Sequence, residues 1–141
     1  MLSPAAQQRA AFARVEPDKI EVQAAPNLLM TKFSMDLARI KHLKSRQKRT
    51  QTKQSLLPEY QAWLDEQLAK VEPLLSHEAT MLAWLLIWHL DTGLYGRTLE
   101  LLSFALCHGI QAPREFERNL IELVTEEISL ILSSANNAPQ K

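Results

Sequence analysis

"MLAWLLIWHL" occupies residues 81–90, and its reading decides the fold class. The run is apolar nearly all round, interrupted only by His89. A helix of that kind belongs at the centre of a bundle, touched on several sides. It is too short to span a bilayer, which takes about 20 apolar residues, so no membrane association is expected. Upstream, Ser76 is expected to cap this helix, with Glu78 in the first turn where negative charge is favoured. Gly93 is expected to end it.

Other helical patterns flank this centre. A helix over about 94–108 shows Leu99, Leu102, Phe104 and Leu106 on overlapping faces, with Gly109 as its stop and His108 at the negative end of its dipole. Pro113 is expected to open a last amphipathic helix, "REFERNLIELVTEEISLIL", with Phe116, Leu120, Leu123, Val124 and Ile128 as its stripe. "SSANNAPQK" reads as a disordered tail. On the N-terminal side, a helix starting near Pro58 buries Leu57, Tyr60, Leu64, Leu68 and Val71, and Pro73 stops it. A short helix over 3–15, a loop over 16–27 and an Asn27 cap complete the reading. Only three glycines, frequent leucine and no strand-forming runs in 141 residues point to an all-α helical bundle. One cysteine, Cys107, forms no internal disulfide, and residues 1–15 lack the apolar stretch of a signal peptide. A soluble cytoplasmic protein is expected.

Charge is where the sequence departs from the ordinary. Sixteen basic side chains balance sixteen acidic ones. Yet "MTKFSMDLARIKHLKSRQKRTQTK", residues 30–53, holds Lys32, Arg39, Lys41, Lys44, Arg46, Lys48, Arg49 and Lys53 against Asp36 alone. Residues 54–135 carry twelve acids and four bases. A basic arm precedes an acidic body, which suits partners of opposite charge. Met30, Phe33, Leu37 and Ile40 form one apolar face, expected to pack on the bundle or on a neighbouring copy. That stripe ends at Leu43, so the expected basic helix over 28–55 docks by its first half and projects or frays by its second. The resulting division is 1–27 short helix and loop, 28–55 basic arm, 56–133 bundle core and 134–141 tail.

Lys32, Arg39, Arg46 and Lys53 are spaced by seven, a step that drifts only about 20° around a helix. A row of cations about 10 Å apart suits a row of phosphates. The plainer reading is a solvated helix face. The one-sided sign, with no interleaved acids to form intrahelical pairs, favours nucleic-acid contact by all eight cations. No zinc-finger spacing, RNA-binding aromatic signature or clean helix-turn-helix is visible, so no base readout follows.

Trp84 and Trp88 lie one turn apart; a hot-spot surface is one reading, core packing the favoured one. Metal-dependent phosphodiester hydrolysis needs converging carboxylates. Glu115, Glu122 and Glu126 share a helix face and Asp65 adjoins Glu66, but solvated surface is the favoured reading. His89 reads as a satisfied core histidine; His77, His89 and His108 lack paired metal spacing, and Cys107 lacks a partner motif. There is no phosphate-binding glycine loop. No catalytic residue, metal or cofactor is expected.

"WHLDTGLYGRTLELLSFALCHGI", residues 88–110, resembles the small terminase subunits of temperate tailed phages, of the GpM type. The pattern is W-x-L-D-T-G after an apolar helix, then a leucine-rich helix ending in A-L-x-x-G and a following proline. Trp88, Leu90, Asp91, Thr92, Gly93, Ala105, Leu106, Gly109 and Pro113 supply it. "LLPEYQAWL", the basic segment before it and "TEEIS" at 125–129 fit as well, so the resemblance covers about 28–129. It implies a homo-oligomeric ring that binds viral double-stranded DNA at the packaging-initiation region. It also implies delivery of that DNA to a large subunit with ATPase and nuclease activities, in the cytoplasm of the infected host. Such proteins are sometimes labelled the endonuclease subunit of terminase; the missing carboxylate cluster assigns cutting to the large subunit. Relatives are often longer, with a basic C-terminal extension, so here the basic helix suffices or the chain is shortened. Two alternatives stand beside this reading: a structural adaptor gripping an acidic protein, and the nuclease itself.

Overall fold

The computed structural model describes residues 24–136. The expected helix over 3–15, most of the 16–27 loop and the end of the tail lie outside them. The chain divides into two compact units, Met1–His42 and Leu43–Lys141, taken in turn.

In the first unit α1 spans Ala24–His42. It begins earlier than Asn27, which therefore lies inside the helix instead of capping it. Pro26 is accommodated because N–H groups of a first helical turn have no intrahelical partner to lose. Along α1, Phe33 and Ile40 are buried while Met30 and Leu37 are half-buried.

The second unit opens with a correction to the sequence reading. Residues 28–55 do not form one helix: residues 43–45 are non-helical, and α2 spans Arg46–Leu56. Ser45 is the reason. Its backbone is extended, and its Oγ accepts the Lys48 N–H at 3.2 Å, the bond of an N-cap. The C-terminal end of α2 is anchored, with Leu56 buried and Lys53 largely covered, while Arg46, Gln47 and Lys48 at its start are exposed.

A 3-10 turn over Leu57–Tyr60 carries Pro58 and leads into α3, Gln61–Ala69. Leu57, Tyr60 and Leu64 are buried as expected and Leu68 is half-buried, but α3 ends before Val71, which is 92% exposed. Lys70 turns extended there, three residues ahead of the Pro73 expected to stop the helix.

The central helix α4 is Ser76–Asp91, with Met81–Ala83 and Leu85–Leu90 buried. Leu75, not Ser76, is its N-cap; Glu78 at the third helical position accepts the Leu75 N–H at 2.8 Å. Around α4 pack α5 (Tyr95–Cys107), α6 (Leu120–Asn136) and the 3-10 turn. Trp88 is fully buried with the Tyr60 ring edge-on at 6.1 Å, and half-buried Trp84 meets Phe116 at 5.4 Å. Gly93 and Gly109 terminate α4 and α5 at φ +80° and +66°. The following N–H groups reach back to His89 and Ala105 carbonyls at 2.9 Å, closing both helix ends.

Two expected faces shift. On α5 the buried residues are Thr98, Leu101 and Ala105, whereas Leu99 is 50% exposed and Leu106 is also exposed. The last helix starts at Leu120 instead of Pro113. Asn119 Oδ1 accepts the Glu122 N–H at 2.9 Å while Glu122 Oε1 accepts the Asn119 N–H at 3.1 Å. This reciprocal cap fixes the start and leaves 114–118 in turns. Residues 133–136 of the expected tail continue α6.

Candidate nucleic-acid interface

Three electrostatic situations divide the eight cations of residues 30–53. Exposed, and with side chains that have no hydrogen-bond or ion-pair partner among the described residues, are Arg39 on α1, Lys44 in the break, and Arg46 and Lys48 on α2. Lys41 is exposed as well. Lys32 pairs with Asp36 one turn on, at 2.6 Å. Lys53 reaches Asp91 at the end of α4, also at 2.6 Å, with its side chain only 14% exposed. Arg49 is half-buried, and its Nη1 donates to the Leu43 and Lys44 carbonyls at 2.9 and 3.0 Å.

Beside α2 lies a polar cleft of about 470 Å³. Arg46, Arg49, Thr50 and Lys53 supply one wall; Asp91 and Glu127 face them. Within the cleft the Lys53–Asp91 contact uses one cation, and Arg46 keeps its full donor set open. Guanidinium carries five N–H donors in a planar fork suited to phosphate. The break also limits the seven-residue stripe read from sequence: Lys32 and Arg39 belong to α1, Arg46 and Lys53 to α2.

Three of the carboxylates weighed for metal chemistry have structural partners. Glu122 caps its own helix, Glu126 pairs with Arg118, and Asp65 takes Arg97 Nη2 at 2.5 Å. Among the described residues no group of three or more His, Cys, Asp or Glu is placed to hold a metal ion. No described helix is long and apolar enough to cross a membrane.

His89 is 1% exposed and both ring nitrogens are engaged. Its Nδ1 lies 2.7 Å from the Leu85 carbonyl, which only accepts, so Nδ1 carries the proton. Nε2 therefore accepts from Gln61 Nε2 at 2.9 Å. Gln61 is held in that sense because its Oε1 accepts from Arg97 Nε at 3.2 Å. Burial pushes the imidazole below its ordinary range; the bond to Leu85 opposes this and the Arg97 charge adds to it.

Sequence reasoning missed the counter-ions of the cleft. Asp91 stands 38 positions from Lys53, and nothing in the local pattern announces that contact. Glu127 was visible only as one more acid on an amphipathic helix.

The geometry defines a class first: a small all-α protein with exposed cations, Lys44, Arg46 and Lys48, on and beside one short helix. Within that class, the chain belongs to the phage small terminase subunit family, whose family model matches residues 30–141. It is 27% identical over 110 residues to the "Terminase, endonuclease subunit" of Escherichia phage P2, covering 78% of this chain and 43% of that protein. The chain thus spans less than half the length of this curated relative. No solved structure matches.

Proposed function

We propose that this chain is a non-catalytic, DNA-binding small subunit of a phage terminase. It grips the phosphate backbone of viral double-stranded DNA and delivers the DNA to the large ATPase and nuclease subunit in the host cytoplasm. Lys44, Arg46 and Lys48, with Arg39 and Lys41, are the primary phosphate contacts; Arg49 and Thr50 border the same cleft. Lys32 and Lys53 contribute only if phosphate displaces their carboxylates. The observation that carries this reading is the group of exposed cations at 44–48 without carboxylate partners, on a chain whose remainder is acidic. Family membership supports it. Assembly of copies into a ring belongs to the same proposal; of the expected apolar face only half-buried Met30 and Leu37 keep surface for a neighbour, since Phe33 and Ile40 are already buried within the chain, and linked sites would multiply a weak patch.

The carboxylate geometry disfavours a nuclease, since Glu122 caps its own helix and Glu126 pairs with Arg118 instead of converging on one point. An adaptor that grips an acidic protein uses the same cations and differs in its ligand. Anisotropy titration of a labelled duplex separates the readings. The triple substitution of Lys44, Arg46 and Lys48 by Ala should weaken binding at least tenfold, while Arg114→Ala on the acidic body leaves it unchanged. Equal affinity of all three proteins would overturn the assignment.

A further inference from the structure

We propose that the break at residues 43–45 is a latch that a polyanion opens, with Arg49 as its bolt. The inference rests on the DNA-binding reading above and adds a conformational step to it. Nothing in Leu43-Lys44-Ser45 forbids a helix, for the segment holds neither proline nor glycine. In an uninterrupted α-helix the Leu43 and Lys44 carbonyls would accept the Gln47 and Lys48 N–H groups. Here the Arg49 guanidinium occupies both carbonyls, at 2.9 and 3.0 Å. Lys48 N–H goes to Ser45 Oγ instead, at 3.2 Å, while Arg49 N–H already makes the ordinary helical bond to the Ser45 carbonyl at 3.0 Å. Two side chains therefore hold the bonds that a continuous backbone would make for itself.

A phosphate oxygen is a stronger partner for guanidinium than a peptide carbonyl, because there both partners are charged and the planar guanidinium fork matches the phosphate oxygens. Arg49 lines the cleft with Arg46, Thr50 and Lys53, so a phosphate there lies within its reach. Drawing Arg49 toward the phosphate frees the two carbonyls for Gln47 and Lys48, and helical backbone propagates through 43–45.

The test is backbone 13Cα NMR of the full chain, free and with a short DNA duplex. In the free protein Ser45 should show an extended-backbone shift. On duplex addition the Leu43, Lys44 and Ser45 Cα signals should move downfield to helical positions. Arg49→Gln, which keeps helix propensity near that of Arg, should produce part of this movement without DNA. Its other resonances should stay in place. A duplex complex whose 43–45 shifts equal those of the free protein overturns the latch and leaves the DNA reading standing. Failure to form any complex overturns both.

Discussion

Acidification should destabilise this protein through one buried residue, His89. Its imidazole is enclosed by Leu85 on its own helix and Gln61 on α3, with Arg97 of α5 behind Gln61 and Asp65 and Glu100 on Arg97. A second ring proton would sit on Nε2 and face the Gln61 amide N–H₂. Gln61 has no easy way to turn, because its oxygen accepts from Arg97, which stays protonated throughout. Burial, aided by the Arg97 charge, therefore holds the folded pKa below the ordinary 6.5. As pH falls, the unfolded chain takes up this proton and the folded chain resists it, so acid favours unfolding. The contribution is complete above about pH 6.5 and is lost below it, down to the folded pKa. One proton changes stability by at most about 1.4 kcal/mol per pH unit, so the loss at about pH 5.5 is at most about 1.4 kcal/mol. Urea unfolding at about pH 7.5 and 5.5 measures it. His89→Gln retains an acceptor for Gln61 without titrating, and should lose less stability than wild type over that interval. Equal acid losses in wild type and His89→Gln would refute the reasoning.

Three further outcomes follow from packing and charge. Leu101→Ala empties a fully buried position on α5 and should cost about 2–5 kcal/mol by urea midpoint, whereas Leu99→Ala, half-exposed on the same helix, should cost under about 1 kcal/mol. Gly93→Ala should cost about 1–2 kcal/mol because φ is +80° there, although no neighbour lies closer than 3.9 Å to the added methyl. Asp91→Asn should release Lys53 to a phosphate, steepening the salt dependence of DNA binding by about 0.9 in the logarithmic slope. The same change should lower stability by no more than about 1 kcal/mol, since the pair is partly solvated.

The helical class and the central helix were legible because residues 81–90 are apolar on every side, a pattern that admits few environments. Helix stops at Gly93 and Gly109 were legible because a left-handed turn strongly favours glycine. Helix starts were not. Asn119 with Glu122, and Ser45 with Lys48, cap by side-chain bonds that compete with upstream prolines and with a continuing amphipathic stripe, and single-sequence periodicity does not rank those competitors. The faces of α5 were misjudged because its leucines outnumber the positions its neighbours cover, so periodicity alone does not choose among Leu99, Leu101 and Leu106. At the candidate site the cations were legible as a composition anomaly, but their partners were not. Asp36, one turn from Lys32, forms an intrahelical pair that was not expected, and Asp91 is brought to Lys53 only by the fold. Arg49 was legible as a cation, but the closing of two backbone carbonyls by its guanidinium was not.

Gathering uncompensated cations around α2 is the centre of the account, and the salt dependence of DNA affinity tests it most directly. Each phosphate neutralised contributes about −0.9 to the slope of log affinity against log salt. With Lys44, Arg46, Lys48 and Arg39 engaged, the wild-type slope should be steeper than about −3, and replacing Lys44, Arg46 and Lys48 by Ala should flatten it by about 2.7. A slope near zero, or one that the triple substitution leaves unmoved, would contradict the account.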